Sequence, residues 1–304
     1  MLEIAFMLEG QNGLTWPRWQ KIAAMVEDLG FAGLYRSDHF TNMDAPDKDS
    51  LEMWTSLTWL AGHTKRIEFG PLVSPFSFRH PALTVRMAAA VDDLSGGRLT
   101  LGLGAGWQER EHHMFGFDLL DTKERFIRFE EGLEVVTRLL NSGEPTTFEG
   151  KYYQLRGATL LPRPQRPGGP RILIGGNGEK RTLPLAAKYA DEWNAVFLTS
   201  AGFAHLSARL EEYLKAEGRK PGSVRRSMMT GLRFGRTKKE LEKELARGSH
   251  SAEELRERGL VVGVGEEIKE QLGGLEKAGL QRVMLQWMEL DDLKGLEDLA
   301  KAVL

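Results

Sequence analysis

Eight times along the chain a short apolar run gives way to a stretch with helical periodicity, and this alternation constrains the fold more than any other feature. The apolar runs are Leu2–Leu8, Ala32–Arg36, Ile67–Val73, Leu99–Leu103, Arg171–Gly175, Glu192–Phe197, Ser227–Leu232 and Val283–Trp287. Between them lie amphipathic stretches at Trp16–Leu29, Ser50–Gly62, Pro81–Leu94, Glu124–Leu140, Lys180–Tyr189, Ala201–Glu217 and Glu266–Lys277, with Leu293–Val303 closing the chain. Runs that are apolar almost throughout call for burial on both faces, and therefore for parallel pairing. Eight parallel strands with eight helices is the arithmetic of an α/β fold, the (β/α)8 TIM barrel. With 304 residues the chain has room for one such barrel as a single domain over residues 1–304.

Two intervals break the rhythm. From Gly104 to Pro170 the sequence reads as one helix followed by a segment, Glu144–Pro170, with five prolines and a short strand pair around Phe148–Leu155. This predicts an insertion over 143–170, after the fourth strand. Between Leu232 and Gly279 there is more helix than one crossover needs. The heavily charged Lys238–Arg258 reads as a solvated outer helix or pair of helices, an extra segment at 237–262 after the seventh strand.

Composition then removes whole classes of function. Lys and Arg number 41 against 43 Asp and Glu, so there is no basic excess with which to neutralise nucleic-acid phosphates. The absence of cysteine excludes disulfides, thiolate metal sites and iron–sulfur clusters, and suits a reducing cytoplasm. No apolar run approaches the ~20 residues of a membrane span. Met1–Phe6, with Glu3 inside it, reads as a strand and not as a signal peptide. A cytoplasmic protein acting on a small molecule, without nucleic-acid or membrane partners, is the expectation.

In a barrel, chemistry sits on the loops that leave the C-terminal ends of the strands. The second strand delivers Ser37-Asp38-His39-Phe40, where His39 offers a proton donor or acceptor beside a carboxylate. The third ends in Gly70-Pro71-Leu72-Val73-Ser74-Pro75, crowded by two prolines. The fourth gives Gly102-Leu103-Gly104-Ala105-Gly106-Trp107, whose alternating glycines let a flat ligand approach the backbone. Its spacing is not that of a dinucleotide fingerprint. Glu109, His112 and His113 follow, but adjacent histidines project about 100° apart on a helix and match no metal-ligand spacing, so no metal site is expected. The fifth strand ends in Gly175-Gly176-Asn177-Gly178-Glu179-Lys180-Arg181 and runs into a helix. Glycine-rich backbone ahead of a helix N-terminus, with Lys180 and Arg181 beside it, is a competent phosphate site.

Ser37-Asp38-His39-Phe40, Gly70 to Pro75 with Arg79-His80-Pro81, Ser95-Gly96-Gly97-Arg98-Leu99, Gly104 to Trp107 through Glu111-His112, and Gly175 to Arg181 together resemble the bacterial luciferase-like monooxygenase superfamily, in order and over essentially the whole chain. The closer resemblance is to its subgroup of probable deazaflavin (coenzyme F420)-dependent oxidoreductases. The resemblance implies a cofactor across the C-terminal mouth of the barrel, a non-prolyl cis peptide at Leu72–Val73 behind its ring, and a phosphate held by Gly175, Gly176, Asn177, Gly178, Lys180 and Arg181. It further implies contacts to the cofactor from Asp38, Ser74, Gly106 and Trp107. Coenzyme F420 is the expected cofactor and flavin mononucleotide (FMN) the alternative, because both offer a planar tricycle, a ribityl chain and a phosphate.

His39 matches the position that carries the proton in the family's deazaflavin-dependent alcohol and sugar-phosphate dehydrogenases. The sugar-phosphate enzymes carry a partner Glu in the fourth-strand loop, and alignment on the glycines puts Trp107 in its place here. Glu109 is then the acid assigned as partner of His39. The expected activity is hydride transfer between F420 and a small organic substrate. A reduced-FMN-dependent monooxygenase is the enzymatic alternative, and a non-catalytic cofactor-binding barrel the alternative of another class. The superfamily also implies a homodimer, for which the helices Trp16–Leu29 and Ser50–Gly62, with Trp54 and Trp59, offer a self-complementary face.

Overall fold

A computed structural model describes residues 1–304. Eight strands form the barrel: Glu3–Leu8, Gly33–Arg36, Glu68–Pro71 continued by Ser74–Pro75, Thr100–Gly104, Arg171–Gly175, Glu192–Val196, Arg225–Phe234 and Arg282–Gln286. Every neighbouring pair among them is parallel. The ring closes between the third and fourth strands, through Phe69 opposite Leu99 and then Ser74 opposite Leu103. The third strand reaches its partner in two pieces, on either side of a cis Leu72–Val73 peptide. Seven of the eight apolar runs fall on unbroken strands of the ring, and Ile67–Val73 covers the split one.

The helices bury one stripe each against the outside of the ring. Trp16–Leu29 and Leu293–Val303 lie where the periodicity puts them. Pro17 starts the first of these and Gly30, at φ 96°, ends it in the left-handed conformation that favours glycine. Trp19, Ile22 and Val26 of that helix, and Trp54, Leu57 and Leu60 of the helix Met53–His63, face the barrel. Trp54 is therefore core within one chain; of the tryptophans considered for a self-complementary face, Trp16 and Trp59 remain half-buried, packed edge to face at 6.3 Å.

Between the fourth and fifth strands the chain forms two helices, Glu109–Phe115 and Thr122–Asn141, where the sequence suggested one. An antiparallel hairpin, Thr146–Glu149 with Gln154–Ala158, follows. It is pinned to the longer helix by Glu131, whose carboxylate accepts the amides of Lys151 and Tyr152 at 2.9 and 2.8 Å. Between the seventh and eighth strands lie the helices Lys238–Leu245 and Ala252–Glu257, and then a strand, Val261–Gly263, that pairs in parallel with the seventh. Three residues carry too little pattern for that strand to be read from sequence.

Inside the ring, Ala5, Met7, Tyr35, Leu72, Leu173 and Met284 form an apolar plug. Below it, at the N-terminal ends of the strands, sits a layer of charge. Arg282, almost wholly buried, donates to Glu3 Oε2 at 2.8 Å, Glu68 Oε2 at 2.7 Å and Tyr35 Oη at 2.5 Å. The C-terminal mouth is thus walled off from the other end by plug and charge layer together, and the open end of the barrel is the end with the candidate residues.

Candidate active site

His39 follows the second strand, and its ring Nδ1 lies 2.7 Å from Oε1 of Glu111. The other carboxylate oxygen of Glu111 accepts the amide of Phe40 at 2.9 Å. Glu111 is 1% exposed and His39 20%. An ionised carboxylate accepts only, so Nδ1 carries the proton and Nε2, without a partner in the chain, holds the lone pair of the neutral ring. Burial alone would lower the His39 pKa. The hydrogen bond and charge of Glu111 outweigh it, with smaller help from Glu9 and Asp38, and the net direction is up.

Glu111 and not Glu109 is therefore the acid that meets His39. Both belong to the helix Glu109–Phe115, but the helix turns its buried side to His39 with Glu111 on it, and leaves Glu109 in solvent. Residues two apart on a helix do not share a face.

Asp38 points elsewhere, as alternation along an extended segment requires. Its carboxylate accepts the hydroxyl of Ser74 at 2.9 Å and pairs with Arg79, whose Nη2 donates to Oδ1 at 3.2 Å. Burial pushes the Asp38 carboxyl up and Arg79 opposes it. Asp38 and Ser74 thus tie the second strand's loop to the third, bonded to each other and to Arg79. Sequence reasoning quoted Arg79 within a motif but gave it no role.

A chain of hydrogen bonds also reaches this loop from the other side. Gln286, ending the eighth strand, donates to Glu9 at 2.7 Å, Gln11 donates to Glu9 at 2.8 Å, and Ser37 donates to Gln11 at 2.7 Å. Gln286 also borders a cavity of about 570 Å³ between the ends of the seventh and eighth strands, lined by Phe234, Lys243, Arg247, Trp287 and Met288 among others.

Val73, on the cis peptide, occupies a seat made by absent side chains. A Cβ on Gly104 would fall 2.5 Å from Val73 Cγ2, and one on Gly102 or Gly175 would fall 3.2 Å from its Cγ1. The alternating glycines of the fourth strand are thus explained by the close approach of the third, with Leu72 below in the apolar plug. Gly106, at φ 84°, begins the turn that carries Trp107. Under that turn His112 is held neutral: its Nδ1 donates to the Gln108 carbonyl at 2.7 Å, so its Nε2 accepts from Ser77 Oγ at 2.7 Å, and burial lowers its pKa. No three His, Asp or Glu side chains converge to hold a metal.

The loop after the fifth strand presents donors without acceptors. The amide of Gly176 is bonded to the Asn194 carbonyl at 2.9 Å, and the Asn177 side chain clamps Val196 on both sides, at 2.7 and 2.9 Å. Those two groups build the loop. The amides of Asn177, Gly178, Glu179 and Lys180 find no acceptor within the chain. Arg181 packs its guanidinium on Phe126 at 5.5 Å and has no carboxylate partner, while the nearby Arg125 leaves its Nε buried and unpaired as its Nη1 donates to the Gly106 carbonyl. Free amides at the start of the helix Thr182–Tyr189, two guanidiniums and an orphaned buried donor fit an anionic group such as a phosphate. Arg125 was not among the residues read from sequence.

The luciferase-like monooxygenase family matches residues 5–259. The chain belongs to that family. An F420-dependent glucose-6-phosphate dehydrogenase of Kineococcus radiotolerans is 31% identical over 219 residues, 70% of this chain and 62% of its own length. A 4-hydroxyprotoasukamycin monooxygenase of Streptomyces nodosus subsp. asukaensis is 29% identical over 181 residues, 58% of this chain and 46% of its own. Among solved structures, an F420-dependent secondary alcohol dehydrogenase in complex with an F420–acetone adduct superposes with a TM-score of 0.86 over 99% of this chain and 98% of that one, at 18% identity. Within the luciferase-like family, then, this chain resembles both F420-dependent dehydrogenases and a monooxygenase, and it shares the family's barrel. No helix is long and apolar enough to cross a membrane.

Proposed function

We propose that the chain is an oxidoreductase that transfers a hydride between coenzyme F420 and a small organic substrate, with His39 carrying the accompanying proton. The observation behind this reading is the His39–Glu111 pair at the open end of the barrel, since a hydride moves at carbon only if one proton is managed at the neighbouring oxygen. When bound, the deazaflavin supplies a carbon that accepts or gives the hydride. The amides of Asn177 to Lys180, with Arg181 and Arg125, would hold its phosphate, and Leu72–Val73 would back its ring.

The chain's own part is proton transfer and alignment. Neutral His39 presents the Nε2 lone pair, which accepts a hydroxyl proton as an alcohol is oxidised to a carbonyl. In the reverse direction the same Nε2–H donates to the carbonyl oxygen as carbon receives the hydride. Glu111 fixes the ring and stabilises the charged form that appears midway. The raised pKa keeps the proton available closer to neutral pH than for a free imidazole.

Anaerobic mixing of the purified protein with oxidised F420 and a secondary alcohol tests this. Loss of the oxidised deazaflavin absorbance with formation of the ketone is the expected result. Turnover only with reduced FMN and oxygen, with no response to F420, would replace this reading by the monooxygenase one.

A further inference from the structure

Nine large apolar side chains are more than half exposed, and two of these are the chain ends Met1 and Leu304. Of the other seven, Met43, Trp107, Met114 and Phe115 come from just two segments, the loop after His39 and the segment around Glu111. Scattered exposed apolar residues need no account, but four gathered around one titratable pair do.

Two of them touch the reacting segment directly. The Trp107 ring stands edge-on to the His39 ring, at 5.5 Å and 83°. Met114 and Phe115 follow Glu111 at i+3 and i+4 at the end of the same short helix. Phe115 packs on Phe40 at 4.9 Å, and Phe40 in turn on Phe78 and Phe117 at 4.8 and 5.7 Å, so the rim has an aromatic foundation. The two segments are also stitched together. Gln108 donates to the Thr41 carbonyl at 2.9 Å, and Arg110 forms a two-pronged pair with Asp47 at 2.6 and 2.7 Å. That pairing neutralises Arg110, the cation of the short helix Glu109–Phe115, whereas hydrocarbon would find a pre-formed surface on the exposed apolar side chains.

We propose that the substrate is an apolar alcohol or carbonyl compound whose hydrocarbon chain or aryl group lies on Trp107, Met43, Met114 and Phe115 while its oxygen meets His39. This rests on the hydride-transfer reading, and it deepens that reading by naming the substrate class. The rim selects by burial of hydrocarbon, and selection therefore grows with the length of the chain.

The test uses the full-length protein with F420 and a series of 2-alkanols from propanol to decanol, with glucose 6-phosphate as the polar competitor. The expected result is a kcat/KM that rises about twofold to fourfold per added methylene. The double substitution Met114→Ser and Phe115→Ser, at two exposed sites, should flatten the series, and Met114→Leu with Phe115→Leu, which keep the hydrocarbon, should restore its slope. Quenching of tryptophan fluorescence by 2-decanone, compared between the native protein and Trp107→Phe, reads the same surface without any turnover.

A flat or falling series, or glucose 6-phosphate turned over better than every alkanol, overturns the proposal. So does sedimentation showing that the double variant splits a dimer while its dependence on chain length is unchanged, since the patch would then cover a second copy. Failure of the hydride reading looks different: no alkanol responds to F420, yet 2-decanone still quenches Trp107.

Discussion

Glu111 holds His39 by one carboxylate oxygen, 2.7 Å from Nδ1, and holds the backbone of Phe40 by the other. The pair joins the second strand's loop to a helix that follows the fourth strand, across 72 positions of sequence. Its geometry sets both the tautomer and the acidity of the ring. Glu111→Gln keeps the bond to Phe40 but offers an amide N–H toward Nδ1, so the proton moves to Nε2 and the base is lost. The charge that raised the His39 pKa is lost as well, leaving burial to lower it. The expected outcome is reduced turnover, with the His39 limb of the pH–rate profile displaced to lower pH. The same shift carries a stability signature. A folded-state pKa raised above the unfolded 6.5 contributes stability that is full below that value and fades as pH rises through the folded pKa. The native protein's margin over Glu111→Gln in urea should therefore shrink from pH 6 to pH 8; a constant margin would show that His39 does not titrate as described.

Substitution of His39 itself separates chemistry from binding. The free amides that fit a phosphate lie on the fifth-strand loop with Arg181 beside them, and none of them bonds His39. His39→Ala should keep cofactor affinity and lose about 10²–10⁴-fold in single-turnover rate, the usual contribution of a positioned acid or base. Full-rate hydride transfer in the variant would remove His39 from the mechanism.

The barrel was legible because its strands are buried on both faces and its helices on one, and these two patterns survive in a bare sequence as continuous and periodic hydrophobicity. His39 was legible for a related reason: it follows a strand that could be placed. Glu111 was not, because choosing it over Glu109 needs the phase of a seven-residue helix too short to show a period of its own. Arg125 escaped for another reason: what marks it is a buried Nε with no partner, a property of packing that no sequence pattern carries.

Arg181 tests the anion site. Its guanidinium is stacked on Phe126 and has no carboxylate partner, so it is free to pair with a phosphate. Arg181→Ala should weaken cofactor binding by about 1.5–3 kcal/mol, the scale of a charge-assisted hydrogen bond. Equilibrium titration of both proteins with F420 measures this directly, and equal dissociation constants would take Arg181 out of the site.

The seat of Val73 yields a graded pair of substitutions. In Gly104→Ala the new methyl meets the end of a side chain, Val73 Cγ2 at 2.5 Å, and a small rotation or shift of Val73 can relieve it. In Gly102→Ala it meets the Pro71 carbonyl oxygen at 2.1 Å, and backbone must move. Gly104→Ala should cost about 1–3 kcal/mol, as overpacking does, and weaken cofactor binding through Val73; Gly102→Ala should cost more. Denaturation midpoints measure the order, and a Gly104→Ala protein as stable as the parent would mean that Val73 is not held by this seat.

At the far end of the barrel, Arg282 is ringed by Glu3, Glu68 and Tyr35, with Glu192 Oε2 at 3.7 Å and both Glu192 oxygens without a hydrogen bond. Burial alone would raise the Glu68 carboxyl, but Arg282, with help from Arg225 and Arg171, more than offsets it and holds the group below its usual value of 4.5. Burial pushes Glu192 up, and Arg282 opposes that too. Arg282→Met removes the cation and leaves these carboxylates facing one another, which should cost about 3–5 kcal/mol, the scale for breaking a buried pair from one side. The sign of its pH dependence follows. Glu68, depressed in the native protein, contributes stability above pH 4.5 that is lost as pH falls through its folded pKa. The variant lacks that contribution, and protonation also relieves its crowded carboxylates. The gap between native and variant should therefore be widest near pH 7 and narrow as pH falls below 4.5, while F420 affinity at the opposite mouth stays the same. Urea midpoints across that range decide it: a gap that stays constant with pH would mean that Arg282 stabilises the barrel by packing and not by charge.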